Sequence, residues 1–273
     1  MYQVLLSRHL RSAIGAVCIL ALGACDTAKF TADSTAGLFT RAAPAFESYW
    51  DYDLAGEAMP ASIVQFEGIL RVVPDNDAIL SQLAQAYVAY AYGWIEADVE
   101  ALEFEGEYEE ADVQRKRTRT MYLRALDLAR HRLRLRNEDV DAAVGGTVEQ
   151  LEEWLELAFV DKGDAEMLLW HGYAWGSYIN SAKDDMEAVA DLPYAKAFVA
   201  RSIELDPNYY HAAGYTFMGV ATASEMASDM EKARAYFEKA LAATERRALQ
   251  AQVNMARHYA VKEGDRELFD KLL

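Results

Sequence analysis

Apolar residues recur three and four positions apart along nearly the whole chain after about residue 40, which predicts helices throughout. Ala, Leu, Glu and Arg are abundant, β-branched alternation is scarce, and no Asn-Gly or Asp-Gly hairpin signal occurs. The five prolines, Pro44, Pro60, Pro74, Pro193 and Pro207, are expected where a helix begins or has just ended. The pattern predicts an all-α protein.

The start of the chain follows a different pattern. Arg8 and Arg11 precede an apolar stretch from Ala13 to Leu22, which runs into Gly23, Ala24 and Cys25. This reads as a secretory signal closed by a lipobox, whose Cys25 becomes a lipid-bearing N-terminus; an ordinary signal with an incidental cysteine is the alternative. The apolar run is about half of the roughly 20 residues that cross a bilayer, which argues against a permanent span. The following residues lack apolar periodicity and predict a flexible tether. The expected organisation is a signal over 1–24, a lipidated tether over 25–39 and a helical domain over 40–273.

Within that domain the helices carry irregular tetratricopeptide-like signatures. Phe66 and Ile69 precede Pro74 as packing residues of a second repeat helix, and Leu80, Leu83, Ala84 and Tyr87 follow as those of the next first helix. Ala195, Val199 and Ser202 stand in the same relation to Pro207, and Ala233, Phe237 and Ala240 mark a third register. A weaker one spans 122–137. The spacing is not constant: residues 180–192 read as an inserted loop, and the acidic stretch 103–112 interrupts another repeat. The fold class expected is an all-α, irregular tetratricopeptide-like helical-repeat domain, an α-solenoid.

Several stretches carry a resemblance: Met59–Leu70, Leu83–Glu96, Trp170–Asn180, Ala190–Pro193, Leu205–His211 and the terminal Tyr259–Val261 and Asp265–Phe269. From about residue 40 to the end the chain resembles the T component (TatT type) of tripartite ATP-independent periplasmic (TRAP) transporters, lipoproteins with cryptic tetratricopeptide repeats. It departs from them in the short connection Ala223–Asp229, where a longer Pro/Gly-rich turn is usual. The resemblance implies an accessory protein, lipid-anchored in the periplasm to the inner or outer membrane of a Gram-negative-type bacterium. It implies docking on a periplasmic solute-binding protein, a homotrimer, and a partly apolar channel passing a hydrophobic or organic-acid ligand. A generic repeat scaffold for envelope complexes and a stand-alone binder of hydrophobic molecules are the other two classes open to such a sequence.

Aromatic side chains are the candidate ligand-facing groups. Tyr87, Tyr90 and Trp94 recur on one helical face; Trp170 and Tyr173 share a later helix that ends near Asn180; Tyr209 and Tyr210 begin another. Singly, such residues serve inter-helix packing. As a group on first helices, Tyr and Trp also suit an amphipathic channel wall, with Asn180 a polar candidate at its mouth.

Composition removes other chemistries. Of two cysteines, Cys18 lies inside the signal and Cys25 is the acylation site, so the mature domain has no thiol and no disulfide. The histidines beyond the signal, His131, His171, His211 and His258, lack metal-ligand spacing, and no nucleophile elbow or phosphate cradle occurs, so neither enzyme activity nor a cofactor is expected. Gly145-Gly146 reads as a turn, and Glu149, Glu152, Glu153 and Glu156 as a solvated face. The formal charge is −17; loss of Arg8 and Arg11 with the signal makes it −19, a balance that repels nucleic acid. The basic run 115–119, continued by Arg130, Arg132, Arg134 and Arg136, reads as internal charge balance along long helices.

Overall fold

Residues 27–273 are described in the computed structural model, and no strand occurs among them. Cys25 and the signal lie outside the described residues. The chain divides into two compact units, one ending at Ile79 and one spanning Leu80–Leu273.

The first unit is built on α1 (Thr27–Glu47) and α2 (Tyr52–Val72). Here the sequence reading needs two corrections. Residues 27–39, expected to form a flexible tether, are helical. The cause is a stripe of small residues: Ala32 and Ala36 are buried, and Phe39 meets the Phe66 ring edge-on at 4.8 Å. Thr31 and Thr35 tuck their hydroxyls onto carbonyls one turn back, at 2.8 Å each. Pro44 and Pro60 lie inside these helices instead of at their ends. Pro60 removes one main-chain hydrogen bond from α2, whose Asp51 cap and buried Met59, Ile63 and Phe66 keep it helical.

The second unit opens within α3 (Asp77–Tyr90), which passes through a π-helical turn (Ala91–Ile95) into α4 (Glu96–Glu105). Gly106, at φ +86°, ends α4 in the left-handed conformation that glycine adopts without cost. Then follow α5 (Tyr108–Arg136), α6 (Val140–Val144), α7 (Val148–Ala158), α8 (Ala165–Ser181), α9 (Met186–Ala190) and α10 (Leu192–Leu205). Residues 180–192, expected to be a loop, thus contain the short helix α9. The chain finishes with α11 (Tyr209–Ser224), α12 (Met230–Ala243), α13 (Leu249–Met255), a second π-helical turn (Ala256–Ala260), α14 (Val261–Glu263) and α15 (Arg266–Leu272). Tyr210, His211 and Ala212 have positive φ, so regular helix in α11 begins after them.

Each long helix of this unit packs on its successors: α4 on α5, α5 on α8, α8 on α10, α10 on α11, and α11 on α12. The central helix, α8, buries Leu168, Trp175 and Ile179 with Leu155, Phe159 and Phe198. It can lie this close to α10 because Gly172 has no side chain; a Cβ there would stand 2.8 Å from the Ala195 carbonyl oxygen. A second cluster joins Phe237, Met255 and Tyr259, and a third joins Val88, Tyr122, Trp170 and Ala174.

Candidate functional site

Between these clusters the second unit encloses a chamber of about 340 Å³. Its apolar wall comes from Ile179 on α8, Met186 and Val189 on α9, Leu192 on α10, Phe217, Val220 and Ala221 on α11, and Met226 in the following loop. Gly176 is the reason the Phe217 ring can lie against α8: a Cβ at that position would be 2.3 Å from the ring. The opposite end is polar and draws on both ends of the unit. Tyr92 and Glu96 come from the first π turn and the residue after it; Asn254, Arg257 and His258 come from the second π turn and the residues before it.

The two π turns are tied together. Asn254 Nδ2 donates to the Tyr92 hydroxyl at 3.1 Å, and Arg257 forms an ion pair with Glu100. A π turn carries one extra residue per turn, which re-aims the side chains on either side of it. Here it brings Tyr92 and Glu96 to the chamber wall.

Charge in the chamber is sparse. Among the described residues Glu96 accepts one hydrogen bond, from the Tyr122 hydroxyl at 2.7 Å, and has no ion pair. Burial raises its carboxyl above the ordinary carboxylate value, against the opposing pull of the Tyr122 bond. Burial likewise raises the Tyr92, Tyr122 and Tyr173 phenols, which stay neutral and act as hydrogen-bonding groups. It pushes the His258 imidazole down to about 4, with Arg257 adding to the effect, so His258 is neutral near pH 7. Lys183 is exposed at the chamber and has no ion pair among the described residues. Ser177 and Asn180 on α8 also line the chamber, with no side-chain hydrogen bond among the described residues. The arrangement offers an apolar surface together with a few polar groups to a small molecule.

Two of the sequence candidates, Tyr173 and Asn180, line this chamber, and Tyr173 receives a hydrogen bond from Gln250 Nε2 at 2.9 Å. The other six lie elsewhere. Trp170 is buried, meets Tyr210 edge-on at 4.8 Å, and its indole donates to the Tyr209 hydroxyl at 3.3 Å. Tyr87, Tyr209 and Tyr210 pack on the same cluster as Trp170, while Tyr90 stacks beside Trp94 with the Arg117 guanidinium over its ring.

The residues not picked out by sequence left only faint traces. Glu96 is a carboxylate closing the otherwise apolar and aromatic run Ala91–Ile95. Asn254 and His258 stand one turn apart among apolar neighbours. Neither trace separates a chamber from an ordinary helix surface.

The basic run is consumed inside the fold: Arg115 pairs with Glu103 and Asp112, Arg119 with Asp184, Arg132 with Glu166 at 2.9 Å, and Arg134 with Asp141 at 2.6 Å. Glu149, Glu152, Glu153 and Glu156 are exposed along α7. Among the described residues no group of His, Cys, Asp or Glu is placed to hold a metal ion, and no helix is long and apolar enough to cross a membrane.

Comparison with curated proteins finds no match. The family model described as TAtT, TRAP transporter T-component, matches residues 49–273, a span that holds the whole chamber and the whole second unit. On that match the chain belongs to the family of TRAP transporter T-components, accessory parts of a transport system.

Proposed function

We propose that this protein is a periplasmic lipoprotein, anchored through Cys25, that docks a TRAP-type solute-binding protein and holds a small organic-acid or hydrophobic ligand in the chamber of its second unit. The observation that carries the ligand half of this reading is the chamber's polarity. Apolar Ile179, Val189, Phe217 and Val220 share the lining with Lys183, Asn180 and Ser177, which make no hydrogen bond or ion pair among the described residues. An apolar cavity with a few convergent polar groups is the usual form of a small-molecule site.

The transport half rests on the family. In keeping with it, successive helices of the second unit pack in chain order, which supports a tetratricopeptide-like stack in which insertions such as 180–192 build one surface. A lipid on Cys25 raises the effective concentration of the domain beside membrane-embedded partners. Homotrimer formation belongs to the same proposal.

Mild cross-linking in membranes followed by affinity recovery tests the docking: a periplasmic solute-binding protein is expected in the cross-linked product. Recovery of unrelated envelope proteins with no transporter component would refute it. Native mass spectrometry of the purified chain tests the chamber, where a retained small acid or apolar molecule is expected and is lost on Phe217→Trp substitution, which fills the cavity.

A further inference from the structure

The polar end of the chamber is close to charge-neutral, and one group decides it. The groups facing the Glu96 carboxylate are Tyr92 and Glu100 from its own segment, Tyr122 from α5, Tyr173 from α8, Lys183 from the α8–α9 connection, and Arg257 and His258 from the C-terminal π turn. Arg257 is spent on Glu100, and the phenols and His258 are neutral near pH 7. What remains is one carboxylate, Glu96, set against one ammonium, Lys183.

Ionised Glu96 therefore cancels the charge that would hold an anionic head, and it also repels that head directly. Protonated Glu96 leaves Lys183 uncompensated. Its Oε1 already accepts the Tyr122 hydrogen bond, so the proton belongs on Oε2, from which it can be donated to an oxygen of the ligand.

We propose that Glu96 sets the charge class the chamber accepts: an anionic ligand enters together with one proton taken from solvent and held by Glu96 Oε2, whereas a neutral ligand enters without one. This rests on the chamber being a ligand site, as argued above. The burial that already raises the Glu96 carboxyl favours the same step. Linkage fixes the sign: a bound anion raises the carboxyl further, so affinity rises as pH falls.

The test uses the full chain in lipid nanodiscs, with empty nanodiscs as blank, and hexanesulfonate as a probe whose own charge does not change between pH of about 5 and 8. Hexanol is the neutral comparator. Calorimetric titration in buffers of different ionisation enthalpy counts the protons taken up. Wild type should bind hexanesulfonate about tenfold tighter at the acid end, with proton uptake, and hexanol with neither effect. Glu96→Gln, which keeps an acceptor for Tyr122, should bind hexanesulfonate with pH-independent affinity and no proton uptake.

Failure of wild type to bind either probe at any pH overturns the chamber reading and this inference with it. Binding without proton uptake, or an unchanged pH dependence in Glu96→Gln, overturns the inference and leaves the chamber standing. Uptake that survives in Glu96→Gln and disappears in His258→Gln assigns the proton to His258 and also overturns it. If Glu96→Gln folds poorly, wild type and His258→Gln still decide: uptake retained in His258→Gln leaves the proton on Glu96, and uptake lost there overturns the inference.

Discussion

Gly172 and Gly176 lie one turn apart on α8, and the same substitution should do opposite things at each. At Gly172 an added methyl meets the Ala195 carbonyl oxygen at 2.8 Å and Val199 Cγ2 at 2.6 Å. The first is backbone in the first turn of α10 and cannot turn aside. At Gly176 the new atom meets the Phe217 ring at 2.3 Å, a closer contact, but that ring borders the chamber and has about 340 Å³ to move into. Replacing a mid-helix glycine with alanine is worth about 1 kcal/mol of helix propensity. Forcing a methyl into a packed helix contact costs about 1–3 kcal/mol. For Gly172→Ala the backbone clash sits at the upper end of that range and prevails, and the second unit should lose up to roughly 2 kcal/mol, a fall of up to about 6 °C in melting temperature. For Gly176→Ala the two effects nearly cancel in stability, and the displaced ring takes up ligand space, so the loss should appear in probe affinity instead. Thermal and urea unfolding followed by tryptophan emission, with the transition of the second unit analysed separately from the first, reads the stabilities. Hexanesulfonate titration reads the chamber. Gly172→Ala melting at or above wild type would refute the tight α8–α10 approach, and Gly176→Ala losing as much stability as Gly172→Ala would refute the freedom given to Phe217.

Other consequences follow from single contacts. Thr147 and Gln150 form a reciprocal capping box at the start of α7, so Thr147→Ala should cost about 1 kcal/mol in urea unfolding; no change would mean that α7 contributes little to the cooperative core. His171 is fully buried, packs on Phe198 at 4.2 Å and leaves Nδ1 without a partner; burial, with Arg130 and Arg134 beside it, holds its imidazole well below the ordinary value. The unfolded chain takes up a proton near the ordinary pH of about 6.5 while the folded one does not, so this share of stability is complete above that pH and is lost as pH falls. His171→Phe should flatten the fall between pH of about 6.5 and 5 in a denaturation series, and an unchanged slope would rule out His171 as its source. Tyr92→Phe removes one of the two acceptors of Asn254, leaving the Gln250 carbonyl, and should speed amide exchange in residues 254–260 while leaving α8 protected; uniform protection would show that the π turns do not hold each other.

How far the sequence could be read depended on whether a feature was local. Helical periodicity identified α2, α5, α8, α10 and α12, because buried residues such as Phe66, Leu133, Phe198 and Phe237 recur at the spacing a helix imposes. The same rule missed α1, whose buried positions are alanines too small to register as an apolar stripe. Proline positions read correctly at Pro74, Pro193 and Pro207, where the chain turns or a helix starts, and misread at Pro44 and Pro60. Of the site candidates, Tyr173 and Asn180 fall on the chamber, both carried by the regular helix α8. Tyr90 and Trp94 were placed by counting along an uninterrupted α-helix, and the π turn at 91–95 begins between them.

That turn also explains why the chamber's polar end could not be found by motif. A π turn is rare and is kept where surrounding contacts hold it, often at functional sites. This unit has one at each end of its sequence, and the contacts that join them, Asn254 to Tyr92 and Arg257 to Glu100, link residues 162 and 157 positions apart. The Arg257–Glu100 pair is about half-exposed on both sides, worth at most about 1 kcal/mol, and the Asn254 bond adds about as much. So the segment carrying Glu96 is held to α5 and α8 by buried Ala91, Ile95 and Tyr122, while its tie to the C-terminal π turn consists of a few weak contacts between residues far apart in sequence. If the chamber holds a ligand as proposed, its charge preference lies with Glu96 and Lys183, outside its aromatic residues.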